Sequence, residues 1–211
     1  MLTYILFLFT FNESKLFEEM CSEVNVNILK DPNLTSEKKK NFLAEYELIV
    51  SFSEYNNIEK MSKHHQKACE LTEKASAILD SDDNWTFGSP SVLYMFYRES
   101  GKLSEQIEIM KKAMPYYNKL TNNHGNSAED VMEAETFFYR FEFENADICI
   151  HKAIHKLNND MKSGLKICLI FLKIKMAIFK GDYSYVVEAL KKVRQDIIDK
   201  NLYIYSYCRF V

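Results

Sequence analysis

His151 and His155 stand four residues apart in "DICIHKAIHKL". On a helix that spacing puts two imidazoles on one face, the arrangement used to hold zinc. A third ligand is needed, and the nearest thiol, Cys149, falls about 200° away from His151 around a helix. The reading is therefore two flank or surface histidines and no metal site. His64 and His65 are adjacent and cannot share one helical face. The carboxylates Glu129, Asp130, Glu133 and Glu135 cluster in "AEDVMEAE". Glu129 and Glu133, at i and i+4, could form a general acid/base pair only if burial separated their pKa values. Acidic residues in a first helical turn are also ordinary complements to the helix dipole. "FGSPS" (87–91) could receive an anion at a helix start, but Pro90 lacks an N–H. G-x-x-x-x-G-K-[ST], G-x-S-x-G and H-E-x-x-H are all absent. The expectation is a chain that is not an enzyme, with no catalytic residues, no metal and no cofactor; an all-α enzyme using Glu129 and Glu133 is the minor alternative.

The elements that position these residues are helices. Gly and Pro together number 8 of 211 residues, against roughly 25 at average usage, which leaves few tight turns for antiparallel strands. Apolar residues recur with a period of 3.6, giving expected helices over 13–29, 36–55, 57–79, 90–99, 102–121, 127–140, 144–159, 163–180 and 182–200. Ser89 followed by Pro90 reads as a helix start. Ser127 with Asp130 resembles a capping box, and Gly181-Asp182 reads as a stop followed by a start.

The helices repeat. The turns "EYNNIEKM", "ESGKLSEQ", "RFEFENAD" and "KGDYSYVV" each place an apolar anchor just past the turn: Ile58, Leu103, Phe143 and Tyr183, spaced by 45, 40 and 40 residues. Ten residues after each anchor comes Ala68, Ala113, Ala153 or Val193; seven after, His65, Met110, Ile150 or Leu190; fourteen after, Thr72, Tyr117, Leu157 or Ile197. These offsets make one helical face in three of the four repeats. A hairpin with such a stripe needs neighbours to bury it. The fold class is all-α, an α-solenoid of tetratricopeptide-like helix hairpins with a period of about 40 residues, with a compact helical bundle as the alternative. Residues 36–200 hold the repeats, 1–35 an incomplete N-terminal helical segment, and 201–211 the truncated start of a further element.

The apolar fraction is 47%, the charged fraction 27% and the formal net charge −3, a folded chain without the clustered basic surface that nucleic acid requires. Lys38-Lys39-Lys40 reads as a solvated helix start. Cys21, Cys69, Cys149, Cys168 and Cys208 are odd in number and widely spaced, the usage of a reducing, cytoplasmic protein. "MLTYILFLFTF" has no positive region before it and no cleavage site, and is too short to cross a bilayer. "NLYIYSYCRFV" is similarly apolar. Both ends read as elements whose partners are missing, so the chain is expected to be a piece of something longer or a homo-oligomer through exposed apolar ends.

Binding is the expected activity. The connections "DSDDNWTFGS", "TNNHGN" and "NNDMKSG" would line one edge of an array; the first is the longest and holds Trp85 beside Phe87, with His124 on the next. Trp85 could equally fold back over the seam between hairpins. Tyr94, Arg98, Glu133 and Arg140 are the candidates on the inner helix faces.

"TFGSPSVLY", "ESGKL", "LTNNHG" and "AEDVMEAE" resemble the helical-repeat region of bacterial LuxR-family regulators of the MalT-like kind, over about residues 40–200; "FEFENADICIHKA" and "FKGDY" are general to tetratricopeptide-like hairpins. Those regulators carry a nucleotide-binding switch, then a helical-repeat sensor, then a DNA-binding helix-turn-helix. The resemblance implies a sensor portion receiving a small-molecule inducer or a protein or peptide partner. The ATPase and DNA-binding motifs themselves are absent, so no nucleic acid would be bound directly. The rival expectation is a stand-alone scaffold that clasps a partner peptide or helix.

Overall fold

The computed structural model describes residues 2–10, 13–54, 57–79, 89–96, 99–157 and 164–199, and among them every regular element is a helix. In chain order they are α1 (Leu2–Thr10), α2 (Ser14–Lys30), α3 (Ser36–Ser51) with a 3-10 turn at Phe52–Glu54, α4 (Ile58–Leu71), α5 (Val92–Phe96), α6 (Leu103–Leu120), α7 (Ala128–Tyr139), α8 (Phe143–Leu157), α9 (Gly164–Lys180) and α10 (Tyr183–Asp199). Among the described residues, no helix is long and apolar enough to cross a membrane. The chain forms two compact units, 1–81 with 109–124, and 82–108 with 125–211.

Four of the helices begin where the sequence places a turn and an apolar anchor. Helices α4, α6, α8 and α10 begin at the anchors Ile58, Leu103, Phe143 and Tyr183 themselves. The residues ten positions on, Ala68, Ala113, Ala153 and Val193, are all buried. At three of these positions the side chain is Ala, small enough for a neighbouring helix to come close, and α4, α8 and α10 pack on the helices before them, α3, α7 and α9.

In the first unit α3 packs on α4, and α1 and α2 pack on α3. Ile5 and Leu8 of α1 join Phe17, Cys21, Val24 and Ile28 of α2 and Ile49 of α3 in one apolar cluster. The apolar opening therefore has a partner on one face, contrary to expectation. Its other face shows solvent the stacked rings of Tyr4 and Phe7. Helix α4 stops at Leu71, short of the expected 79. Thr72 is extended, and its hydroxyl donates to Asn41 Oδ1 (2.7 Å) and accepts from Lys74 N–H (3.1 Å). Ser76 then donates its N–H to Leu120 O and its hydroxyl to Glu45. Ser and Thr have here offered the backbone partners that outcompete a further helical turn.

In the second unit α7 packs on α8 and α9 on α10, while α5 and α9 both lie against α7. Helices α7 and α9 end alike. Phe141 and Gly181 are left-handed (φ +61° and +74°), with Phe141 N–H on Phe138 O and Glu142 N–H on Phe137 O, and with Gly181 N–H on Ile178 O and Asp182 N–H on Ala177 O. This double bond pattern is the Schellman stop, which favours Gly. Asp182 then caps α10 by accepting Tyr185 N–H at 3.1 Å, so Gly181-Asp182 is the stop and start expected. The expected caps at Ser89 and Ser127 differ from what forms. Ser91 receives Tyr94 N–H (3.1 Å) and is the cap of α5, while Ser89 makes a local turn with Ser91. Ser127 is left-handed (φ +75°) and its hydroxyl donates to Ala153 O at 3.3 Å, while Asp130 pairs with Lys156.

Candidate functional site: an aromatic surface around Lys175

Tyr94 of α5, Phe138 and Tyr139 of α7 and Phe171 of α9 converge on one cation in the second unit. The Lys175 ammonium lies 4.7 Å from the Phe171 ring centroid, 5.3 Å from Tyr139, 5.4 Å from Tyr94 and 5.9 Å from Phe138. It donates to Tyr139 Oη at 3.0 Å, and the Tyr139 and Tyr94 hydroxyls are hydrogen-bonded to each other. That bond, and then burial, raises the Tyr94 pKa. Tyr94 and Tyr139 are exposed. Each cation–π contact of this kind contributes about 0.5–1 kcal/mol where water reaches it. The set offers ring faces, two phenols and an ammonium to solvent, which suits recognition of a polar group on an apolar body.

The residue that positions Tyr94 is Glu135. Its side chain is 1% exposed, and its Oε2 accepts Leu93 N–H at 2.8 Å in the first turn of α5. A five-residue helix has little intrinsic stability, and a carboxylate at its N-terminus satisfies a donor and complements the dipole. Burial pushes the Glu135 carboxyl up to about 7, against hydrogen bonds from Leu93, Ser91 and Val92 and the charge of Lys175, all of which pull it down.

Of the carboxylates expected to cluster, Glu135 is thus the deeply buried one. Glu129 is instead held by Lys156 at 2.8 Å, and half-buried Glu133 accepts from the Cys149 thiol at 3.7 Å. Burial pushes that thiol up to about 11, far from a nucleophile's range. Arg140 is exposed and donates to Ser104 Oγ at 3.1 Å. His151 and His155 are exposed. Among the described residues no three His, Cys, Asp or Glu side chains gather as metal ligands do. Trp85, Phe87 and Arg98 lie outside the described residues.

His124 belongs to the first unit and is buried, with Nδ1 2.8 Å from the Tyr117 hydroxyl. Tyr117 also lies against the His65 ring, with centroids 5.1 Å apart. Ser51 donates its hydroxyl proton to Leu48 O (2.6 Å), so His65 Nε2, 3.0 Å away, is the donor to Ser51. His65 Nδ1 is then an acceptor lone pair, buried and without a partner. Burial, aided by the neighbouring His64, drives the His65 pKa down to about 3. His64 faces the other way and bonds the buried Glu47 at 2.7 Å, which Lys67 also engages. Sequence reasoning missed Glu47, whose partners His64 and Lys67 sit on α4, and Lys175, whose tyrosine partners sit on α5 and α7. Comparison with known proteins returns no relative: no protein-family model, no curated protein and no solved structure matches the chain.

Proposed function

We propose that the chain is a tetratricopeptide-like α-solenoid serving as a non-catalytic sensor and protein-interaction module, of the kind found in LuxR-family, MalT-like regulators. The observation that carries this reading is the coincidence of four helix starts with the four repeat anchors, each followed ten residues later by a buried small or β-branched side chain. Repeated hairpins of this type stack and leave a continuous face for binding. The exposed aromatic surface around Lys175 supports a binding role, and the resemblance of "TFGSPSVLY" and "AEDVMEAE" supports the regulator. Among the described residues Cys21, Cys69, Cys149 and Cys168 form no disulfide, in keeping with a reducing compartment. A stand-alone scaffold for a partner peptide is the second reading, favoured by the same aromatic surface.

Two experiments test it. A compact chain of this length has a radius of gyration of about 17 Å; small-angle scattering of a solenoid gives a clearly larger value, and a result near 17 Å refutes the array. Selection of displayed peptides on the immobilised chain, run beside a thermal-shift screen of metabolites, should return a micromolar peptide or a stabilising ligand. Empty results from both overturn the binding role.

A further inference from the structure

We propose that Phe141, Phe143 and Phe179 form a docking surface for a basic amphipathic helix of a protein partner. The inference rests on the interaction-module reading and adds to it a surface and a partner class.

The three rings touch edge to face or tilted, with centroids 6.2 Å apart for Phe141–Phe143, 5.7 Å for Phe141–Phe179 and 5.9 Å for Phe143–Phe179. Buried Phe138 sits beneath Phe143 and Phe179. Yet Phe141 is 66% and Phe179 59% exposed. Phe141 also stands in the left-handed stop position of α7, two residues before an anchor. At the two matching positions, Gly101 and Gly181, the chain uses the residue that φ values of +83° and +74° favour. An added Cβ at either glycine would meet nothing within 4 Å, so this place in the turn faces solvent. A bulky ring at that position is strained and exposed at once, and neither term is offset within the turn. Strain of this kind collects at binding sites, and an exposed aromatic group is the usual anchor of one.

The rim fixes the partner's charge. Glu142, Glu144 and Asp147 line the same depression as Phe141 and Phe143. Its one lining cation, Lys180, is 3.5 Å from Asp147 and so already paired. Arg140, next in sequence, points its guanidinium to Ser104. An apolar patch with a net acidic rim fits apolar residues at i, i+3 or i+4 and i+7 flanked by Lys or Arg. A helix is the occupant rather than a strand, because no strand among the described residues offers an edge for strand addition.

The test is fluorescence anisotropy with a labelled amphipathic Leu/Lys helix of about 18 residues and a Leu/Glu helix of the same pattern. The Lys peptide binds and the Glu peptide does not. Phe141→Gly weakens binding at least about tenfold without lowering Tm, because Gly accepts the left-handed backbone. The pair Glu142→Lys and Glu144→Lys weakens it as well. A Phe141→Gly variant that loses Tm and keeps its affinity makes the ring a packing element and overturns the proposal. Equal binding of both peptides overturns the charge argument. A dimer that Phe141→Gly converts to monomer in sedimentation assigns the patch to a second copy of the chain instead. If displayed peptides bind the chain and its Phe141→Gly variant equally well, this surface fails while the interaction-module reading stands; if nothing binds at all, both fail.

Discussion

Replacing Glu135 by Gln should change how the second unit responds to pH. Burial raises the carboxyl from 4.5 to about 7, so the folded state holds this proton more tightly than the unfolded chain does. Its stabilising contribution is fully present below pH 4.5 and is lost as pH rises through about 7. The displacement corresponds to about 3 kcal/mol, since the carboxylate formed at high pH is 1% exposed and recovers only part of its hydration through Leu93, Ser91, Val92 and Lys175. Gln keeps an oxygen for the Leu93 N–H and never ionises. Urea unfolding followed by far-UV circular dichroism at pH 5 and pH 9 compares the two chains, and the other titrating groups cancel in the difference. The variant should gain about 3 kcal/mol on the parent between those pH values, and the Leu93 amide of the variant should exchange more slowly at pH 9. A difference that is constant across pH, or a variant that loses ground at pH 9, would refute the assignment of Glu135 as a desolvated cap.

His65 works in the opposite sense. Its folded pKa of about 3 lies below the ordinary imidazole value of 6.5, so stability falls as pH drops from 6.5 toward 3, by up to about 5 kcal/mol; His65→Gln, which can still donate to Ser51, should move the acid-unfolding midpoint to lower pH. Gly181→Ala should lower stability by about 1 kcal/mol through its left-handed backbone alone, since the added methyl meets open space; an unchanged urea midpoint would contradict the Schellman stop. Ala153→Leu, at a fully buried repeat position, should cost about 1–3 kcal/mol by overpacking, and a neutral result would mean the α7–α8 interface is looser than described.

What could be read from the sequence was whatever repeats at short range. The anchors Ile58, Leu103, Phe143 and Tyr183 mark helix starts because turn and apolar stripe recur together. His65, read from the sequence as a flank residue beside His64, is buried at the offset of seven. Features that depend on a distant partner were not legible. Glu135 looked like one more member of a surface carboxylate cluster because the amide it caps is 42 residues away. The end of α4 at Leu71 was hidden because the apolar period runs on through Ala77 and Leu79, while the groups that hold the extended segment, Asn41, Glu45 and Leu120, come from elsewhere. His124 looked like a loop residue free to bind, and its burial depends on the Tyr117 hydroxyl. Phe141 did leave a signal: aligned on their anchors, two of the turns place Gly where this one places Phe.

The capping of α5 by α7 also sets an order in time. On the ribosome the chain emerges from its N-terminus, and Leu93 appears 42 residues before Glu135. At about 5–20 residues per second the interval is roughly 2–8 s. During it the segment Val92–Phe96 has neither its acceptor nor the face it lies against, and so few residues do not hold a helix unaided. The α7–α8 hairpin, built from neighbours in sequence, can close first. Helix α5 then forms by docking backward onto it, so assembly of this unit runs against the direction of synthesis.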